Sequence, residues 1–137
     1  MTGSSRAKIE SFILLFVFVF SLTVILRGGP HVINIIADKD NTFKIPGQKK
    51  AIITVKANEV LLIHITSRKG TEWDKNGAVH SFTIKDLKDQ GWDLRLKDGT
   101  QDFTLAAPSE PGEYTIECTV KCGEGHDDMR MKLIVTP

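Results

Sequence analysis

Eight short runs of apolar and β-branched residues follow residue 30, and they constrain the fold more than any other feature of the chain. They are residues 32–36, 51–56, 60–66, 79–84, 92–96, 101–106, 113–118 and 131–135. Pairs of turn residues such as Pro46-Gly47 and Asn76-Gly77 separate them, which is typical of β-strands joined by tight turns. We therefore predict an all-β domain, an antiparallel sandwich that needs no helix in its soluble part.

Both cysteines of the chain, a histidine and a methionine lie within twelve residues near the C-terminus. Cys118, Cys122, His126 and Met129 follow one another at intervals of four, four and three residues, a spacing that suits a loop around one small centre. Thiolate and thioether sulfur are soft ligands and imidazole is borderline, so this set favours copper over calcium or magnesium. His80, in a predicted strand, is the best candidate for a fifth donor.

The terminal run CTVKCGEGHDDM (118–129), together with the upstream run VHSF (79–82), resembles the dinuclear copper A domain. That domain occurs in subunit II of haem-copper cytochrome oxidases and in nitrous oxide reductases. The resemblance covers residues 30–137 in the order of elements and is close in these two runs. It implies a cupredoxin-like Greek-key sandwich, with the ligand loop between the last two strands and His80 on a neighbouring element.

The resemblance also implies two copper ions and a role for each of six residues. The thiolates of Cys118 and Cys122 would bridge the ions. The imidazoles of His80 and His126 would each cap one ion. The Met129 thioether and the Val120 main-chain carbonyl would be weak ligands. Many oxidase subunits carry a glutamate at the position of Val120, where it helps to hold a magnesium ion. The aliphatic side chain of Val120 therefore predicts that no magnesium site is present.

A copper pair of this kind is suited to electron transfer. In the family's oxidised state, two thiolates reduce the three positive charges of the coppers to about +1, and one electron reduces the total to about 0. Protein occupies every ligand position, so no open position is left for a substrate. The implied function is that of the subunit through which electrons pass from cytochrome c, or a similar donor, to haem in subunit I of a membrane oxidase. A nitric oxide reductase complex is the alternative.

Other sites compete for the same residues. A disulfide between Cys118 and Cys122 would leave His126 and Met129 unexplained, and a structural zinc site would not need the methionine. A mononuclear blue copper site would use His80, Cys122, His126 and an axial methionine, leaving Cys118 idle. Dinuclear copper uses all five donors and ranks first. A stand-alone, membrane-anchored copper-binding or copper-delivery protein is the alternative of a different functional class.

The N-terminus predicts a membrane anchor, residues 1–29. Residues 12–26 carry no charge, and a single transmembrane helix over residues 9–26 would be about 27 Å long. A cleaved signal peptide is the alternative, although no small-x-small cleavage site precedes Arg27. Because Arg6 and Lys8 should stay in the cytoplasm, we expect residues 30–137 on the periplasmic, extracytoplasmic face of the cell membrane.

Charge limits the choice of partners. Of 18 basic and 17 acidic residues, two basic and one acidic residue precede residue 27, so the remainder is neutral and predicts no nucleic-acid binding. Acidic residues in the ligand loop, Glu124, Asp127 and Asp128, are expected to be a solvated rim. As a hypothesis, they steer a basic cytochrome c towards the copper.

The remaining conspicuous residues have structural interpretations. Trp73 and Trp92 are expected to pack in the sandwich, with the alternative that one of them lies at the surface near the copper and contacts the electron donor. Met131 is expected to pack rather than bind metal. His64 and His31 are expected to be structural or surface residues, because neither has a second donor nearby in the sequence.

Overall fold

Nine β-strands in two sheets make up the part of the chain that the computed structural model describes, residues 28–137. In chain order they are β1 (His31–Ala37), β2 (Phe43–Lys44), β3 (Ile52–Lys56), β4 (Val60–Ser67), β5 (His80–Thr83), β6 (Asp93–Leu96), β7 (Gly99–Ala106), β8 (Gly112–Glu117) and β9 (Arg130–Thr136). All eight predicted strands are present, with ends within two residues of the predicted ends. The short β2 is an addition.

The two sheets have the strand orders β2-β1-β4-β7 and β3-β9-β8-β5-β6. β1 runs parallel to β4, and β3 runs parallel to β9, whereas the other strand pairs are antiparallel. The prediction of an antiparallel sandwich is therefore wrong for two pairs. Between β1 and β4 the chain passes through β3 in the other sheet, and this crossover returns β4 in the direction of β1. Turn residues show where strands end, but they do not show that the chain crosses to the other sheet.

The core lies between the sheets and follows the alternation of the strands. In β4, Leu61, Ile63 and Ile65 are fully buried, while the side chains between them are partly exposed. Trp92 packs against Phe82, and its Nε1 atom donates a hydrogen bond to the carbonyl of Ala106 at 3.1 Å. The prediction that Trp92 packs in the sandwich is confirmed. Met131 is buried in the same cluster, as predicted.

Between residues 28 and 137 the helices are two short 3-10 segments, Lys85–Gln90 and His126–Asp128. None of the helices in this part of the chain is both long enough and apolar enough to cross a membrane. The predicted transmembrane helix, residues 9–26, lies outside the described residues.

The end of the second sheet positions the candidate site. β8 and β9 form an antiparallel pair, and residues 118–129 connect them as a loop. β5 lies beside β8 with Thr83 opposite Glu117, so His80 lies on a strand next to that loop. The expected placement of the ligand loop and of His80 is confirmed.

Candidate metal centre

His80 is fixed within the sheet. It begins β5 opposite Leu96 of β6, and its side chain is fully buried. Its Nε2 atom lies 2.8 Å from the carbonyl oxygen of Arg68, so this nitrogen carries the proton and donates it. Its Nδ1 atom is buried and has no hydrogen-bond partner among the described residues. The ring therefore presents an unprotonated, unpaired nitrogen, as a metal-binding histidine requires.

The loop after β8 folds back on itself and gathers the other donors. Left-handed backbone at Gly123 and Gly125 allows the reversal, and the 3-10 turn from His126 to Asp128 follows. The amide of Cys118 donates to the carbonyl of Met129 at 3.1 Å and closes the loop. As a result, Cys118 and Met129, eleven positions apart in sequence, lie side by side where the loop begins and ends.

The two cysteines are free thiols with their Sγ atoms 3.9 Å apart. The hydrogen bond with Cys122 lowers the pKa of Cys118 to about 4, and the Ser81 amide, 3.3 Å from its Sγ atom, acts in the same direction. The contact with Cys118, together with burial, raises the pKa of Cys122. The contact between the two sulfurs therefore favours the thiolate form of Cys118, and its negative charge favours a cation beside the pair.

All six predicted residues meet at one place. Donor atoms of His80, Cys118 and Cys122 lie within 4.8 Å of one another. The Sγ atom of Cys122 lies 3.6 Å from Nδ1 of His126 and 3.9 Å from Sδ of Met129. The carbonyl oxygen of Val120 is 3.1 Å from Sγ of Cys118.

The donor set fits copper. Two thiols, a thioether and imidazole nitrogens are soft or borderline ligands, and the unpaired Nδ1 atom of His80 faces a buried position that otherwise leaves it unsatisfied. His126 is only partly buried, so this side of the cluster reaches the surface. A cavity of about 270 Å³ there is lined in part by Cys118, His126 and Met129.

Residues that support the donors were not predicted from the sequence. The hydroxyl of Ser81, next to His80, accepts a hydrogen bond from the amide of Thr119, next to Cys118, at 2.7 Å. The Arg68 carbonyl orients His80, and the Glu72 amide donates to the Cys122 carbonyl at 3.2 Å. Serine and threonine beside predicted ligands are a usable sequence signal. Main-chain contacts carry no such signal because any side chain allows them.

Trp73 lies near the donors, whereas His64 and His31 pair with carboxylates elsewhere on the surface. Trp73 is 51% exposed, so the prediction that it packs in the sandwich is wrong; it lies in the loop that contacts Cys122, with the Lys69 ammonium 3.2 Å from the centre of its ring. His64 pairs with Asp102, and His31 pairs with Glu59, through exposed or partly exposed side chains. The two histidines are surface residues, as predicted.

Comparisons with solved structures identify the fold. A chain of a haem-copper terminal oxidase dimer is 19% identical, with 81% of this chain and 68% of that chain covered and a TM-score of 0.56. The periplasmic domain of cytochrome oxidase subunit II from Bradyrhizobium japonicum is 15% identical, with 80% of this chain and 86% of that domain covered and a TM-score of 0.53. The chain has a cupredoxin-like fold. Auracyanin A, a "blue" copper protein from Chloroflexus aurantiacus, is 19% identical, with 79% of this chain and 100% of auracyanin A covered and a TM-score of 0.50.

No family model and no curated protein sequence matches the chain. The resemblance to copper A domains is nevertheless confirmed, because oxidase subunit II domains are among the structural neighbours and the cluster of His80, Cys118 and Cys122 fits a copper A-like site. Copper-binding neighbours and this cluster together support copper as the metal.

Proposed function

We propose that this protein is the subunit through which electrons enter a membrane haem-copper oxidase, with a dinuclear copper A centre in the loop after β8. One observation carries the proposal: two free buried thiols lie 3.9 Å apart in a cupredoxin-like fold, with three further side-chain donors in contact with them or beside them. A mononuclear site needs only one of these thiols. The second thiol is explained if both sulfurs bridge two ions.

Each residue has a defined task in this proposal. Cys118 and Cys122 would supply the bridging sulfurs, His80 would bind through its free Nδ1 atom, and His126 would bind from the surface side. Met129 and the Val120 carbonyl would be the weak ligands. When bound, the copper pair would supply a centre that accepts and releases one electron. The protein keeps these donors in place and largely dry, which limits the movement of ligands and water.

The proposed surroundings follow from the same assignment. Residues 9–26 would anchor the chain in the cell membrane and leave the sandwich on the periplasmic, extracytoplasmic face. Cytochrome c or a similar donor would bind near the ligand loop, and haem in subunit I would be the acceptor. A nitric oxide reductase complex is the alternative partner. Stoichiometric co-purification with a haem-bearing subunit from native membranes supports a complex, whereas a lone copper protein supports a binding or delivery role.

Copper analysis with electron paramagnetic resonance of the loaded chain tests the centre itself. We expect two coppers per chain and one unpaired electron shared equally between them. One copper per chain with a four-line spectrum would overturn the dinuclear centre. Cys118→Ser sharpens the test, because a blue copper site would keep its spectrum in this variant and a bridged pair would lose it.

A mononuclear blue copper protein is the second candidate, and the geometry around Cys122 favours it over zinc or a disulfide. The Sγ atom of Cys122 contacts both His126 and Met129, and His80 lies beside it, so a blue copper site needs no thiol other than Cys122. The similarity of the fold to auracyanin A supports the same possibility. In this case Cys118 would contact only its protein neighbours.

We also propose that Trp73 contacts the electron donor. Its loop is joined to the ligand loop by the hydrogen bond from Glu72 to Cys122, and its ring is exposed. Aromatic residues of this kind often contribute strongly to interfaces. Trp73→Ala should slow reduction by cytochrome c about tenfold and leave the copper spectrum unchanged. Val60→Ala, which removes another exposed side chain at the start of β4, is the control. Equal rates for the two variants would reject the contact.

A further inference from the structure

Asn41 lies in the turn between β1 and β2, yet its side chain reaches the ligand loop. Its Nδ2 atom donates a hydrogen bond to the carbonyl of Glu124 at 2.5 Å, across 83 positions of sequence. Asn41 is 5% exposed, so the donor side of this bond is buried, whereas Glu124 lies at the surface. Glu124 lies midway between Cys122 and His126, and the contact therefore holds the ligand loop between these two proposed ligands.

Two unfavourable features accompany this contact. The backbone of Asn41 is left-handed, with φ of 56°, a conformation that costs any residue with a Cβ atom more than it costs glycine. The other amide atom, Oδ1, is buried without a hydrogen-bond partner. Such costs persist where the surrounding structure requires the arrangement, and they are concentrated at functional sites.

The loop depends on contacts of this kind because it has no strand partner between Cys118 and Met129. On one side, a Cβ atom at Gly70 would lie 2.5 Å from the Cys122 carbonyl and 2.9 Å from Oδ1 of Asn41. The ligand loop, the segment at Gly70 and the Asn41 turn are thus packed against one another. In this arrangement the Asn41 amide is the side-chain bond that ties the turn to the loop.

We propose that Asn41 is a positioning residue that places Cys122 and His126 relative to His80 and Cys118 by holding the Glu124 carbonyl. The inference rests on the proposed function, since the centre that Asn41 positions is the proposed copper site. The amide itself touches no metal ligand atom. It acts by restricting the loop to the conformation in which its donors converge.

The test measures opening of the loop in the copper-free, full-length chain. Cys122 is fully buried, so an alkylating reagent reaches it only when the loop opens. Asn41→Gly removes the amide and tolerates the left-handed backbone. We expect alkylation of Cys122 to become about tenfold faster, as loss of one partly buried hydrogen bond predicts. Cys118, followed by mass spectrometry in the same sample, should accelerate less.

Asn58 provides a matched control. It is the other non-glycine residue with left-handed backbone among the described residues, at φ of 61°, and it is exposed and bonded to Pro108 at a distance from the ligand loop. Asn58→Gly should leave the Cys122 rate unchanged. Asn41→Asp keeps the size of the side chain but cannot donate to the carbonyl, and it should resemble Asn41→Gly. It also serves if the glycine variant does not fold.

Two results would overturn the proposal: an unchanged Cys122 rate in both Asn41 variants, or equal acceleration in Asn58→Gly. In the copper-loaded chain, Asn41→Gly should also shift the thiolate-to-copper absorption bands, which a purely structural role would leave in place. The alkylation result decides the role of Asn41 whether or not copper binds. The copper content of the unaltered chain tests the proposed function separately.

Discussion

The two halves of the candidate centre are held in different ways. In the strand half, His80 is fully buried in β5, and Cys118 directly follows β8, so the sheet positions both. In the loop half, Cys122, His126 and Met129 lie outside the strands; the Glu72 amide holds the Cys122 carbonyl, and Asn41 holds the carbonyl of Glu124, between Cys122 and His126. The strand half fixes the geometry from the core. The loop half brings the same centre to the surface, where a metal or an electron can reach it.

The largest difference between the halves should appear on removal of each histidine. His80→Ala leaves a cavity in the core and an unpaired Arg68 carbonyl, so the free energy of unfolding of the copper-free chain should fall by about 2–4 kcal/mol. His126→Ala removes a partly exposed ring and should cost less than about 1 kcal/mol. Denaturant unfolding of both variants measures the difference, and equal losses would contradict the division into halves.

A smaller effect is expected where the two loops meet. In Gly70→Ala the new methyl group would lie 2.5 Å from the Cys122 carbonyl, and because this neighbour is backbone, the loop half must move. We expect a loss of about 1–3 kcal/mol. Gly29→Ala meets nothing within 4 Å and is the matched control. If Gly70→Ala is as stable as the control, the loop half is looser than its contacts indicate.

The turn that links the two halves should also respond to acid through Asp38, whose carbonyl accepts a hydrogen bond from the backbone amide of Asn41 at 3.0 Å. The hydrogen bond from Lys44 lowers the pKa of Asp38 from 3.8 to about 2, and Arg68, whose carbonyl orients His80, lies 3.4 Å away. A carboxyl with a lowered pKa stabilises the fold above its unfolded value of 3.8, and this contribution is lost as the pH falls towards 2.

Asp38→Asn should therefore cost about 1 kcal/mol at pH 7, and the difference from the unaltered chain should shrink between pH 4 and pH 2. Unfolding in denaturant at several pH values measures this. A difference that is independent of pH would show that packing, and not charge, gives Asp38 its effect.

The smallest effect concerns the exposed charge of the loop half. With cytochrome c as the proposed donor, Asp127→Lys should slow association severalfold at low salt and little at high salt, because screening removes long-range attraction. Glu110→Lys makes the same change before β8, away from the ligand loop. Stopped-flow reduction at two ionic strengths measures both. If both variants slow the reaction equally, net charge and not the loop determines the rate.

Most of the strand half could be predicted from the sequence, because alternation and turn residues are local signals. The strands on both sides of the core and the position of His80 were predicted for this reason. The parallel pairing of β1 with β4 was not, since it depends on a crossover between sheets. Trp73 was also misplaced: a large aromatic residue is usually buried, and its exposure depends on where its loop lies.

The sequence by itself determined the donors and their order, since ligand type and spacing are properties of the residues alone. It also determined that the chain forms short strands. The tertiary structure alone decided which atoms of those residues are free and how the loop is held. The Nδ1 atom of His80 is available because Nε2 carries the proton and donates its hydrogen bond to the Arg68 carbonyl, and the loop keeps its shape because Asn41, 83 positions away, reaches Glu124. Such contacts join residues that are distant in sequence, and only the packing of the two sheets brings them together.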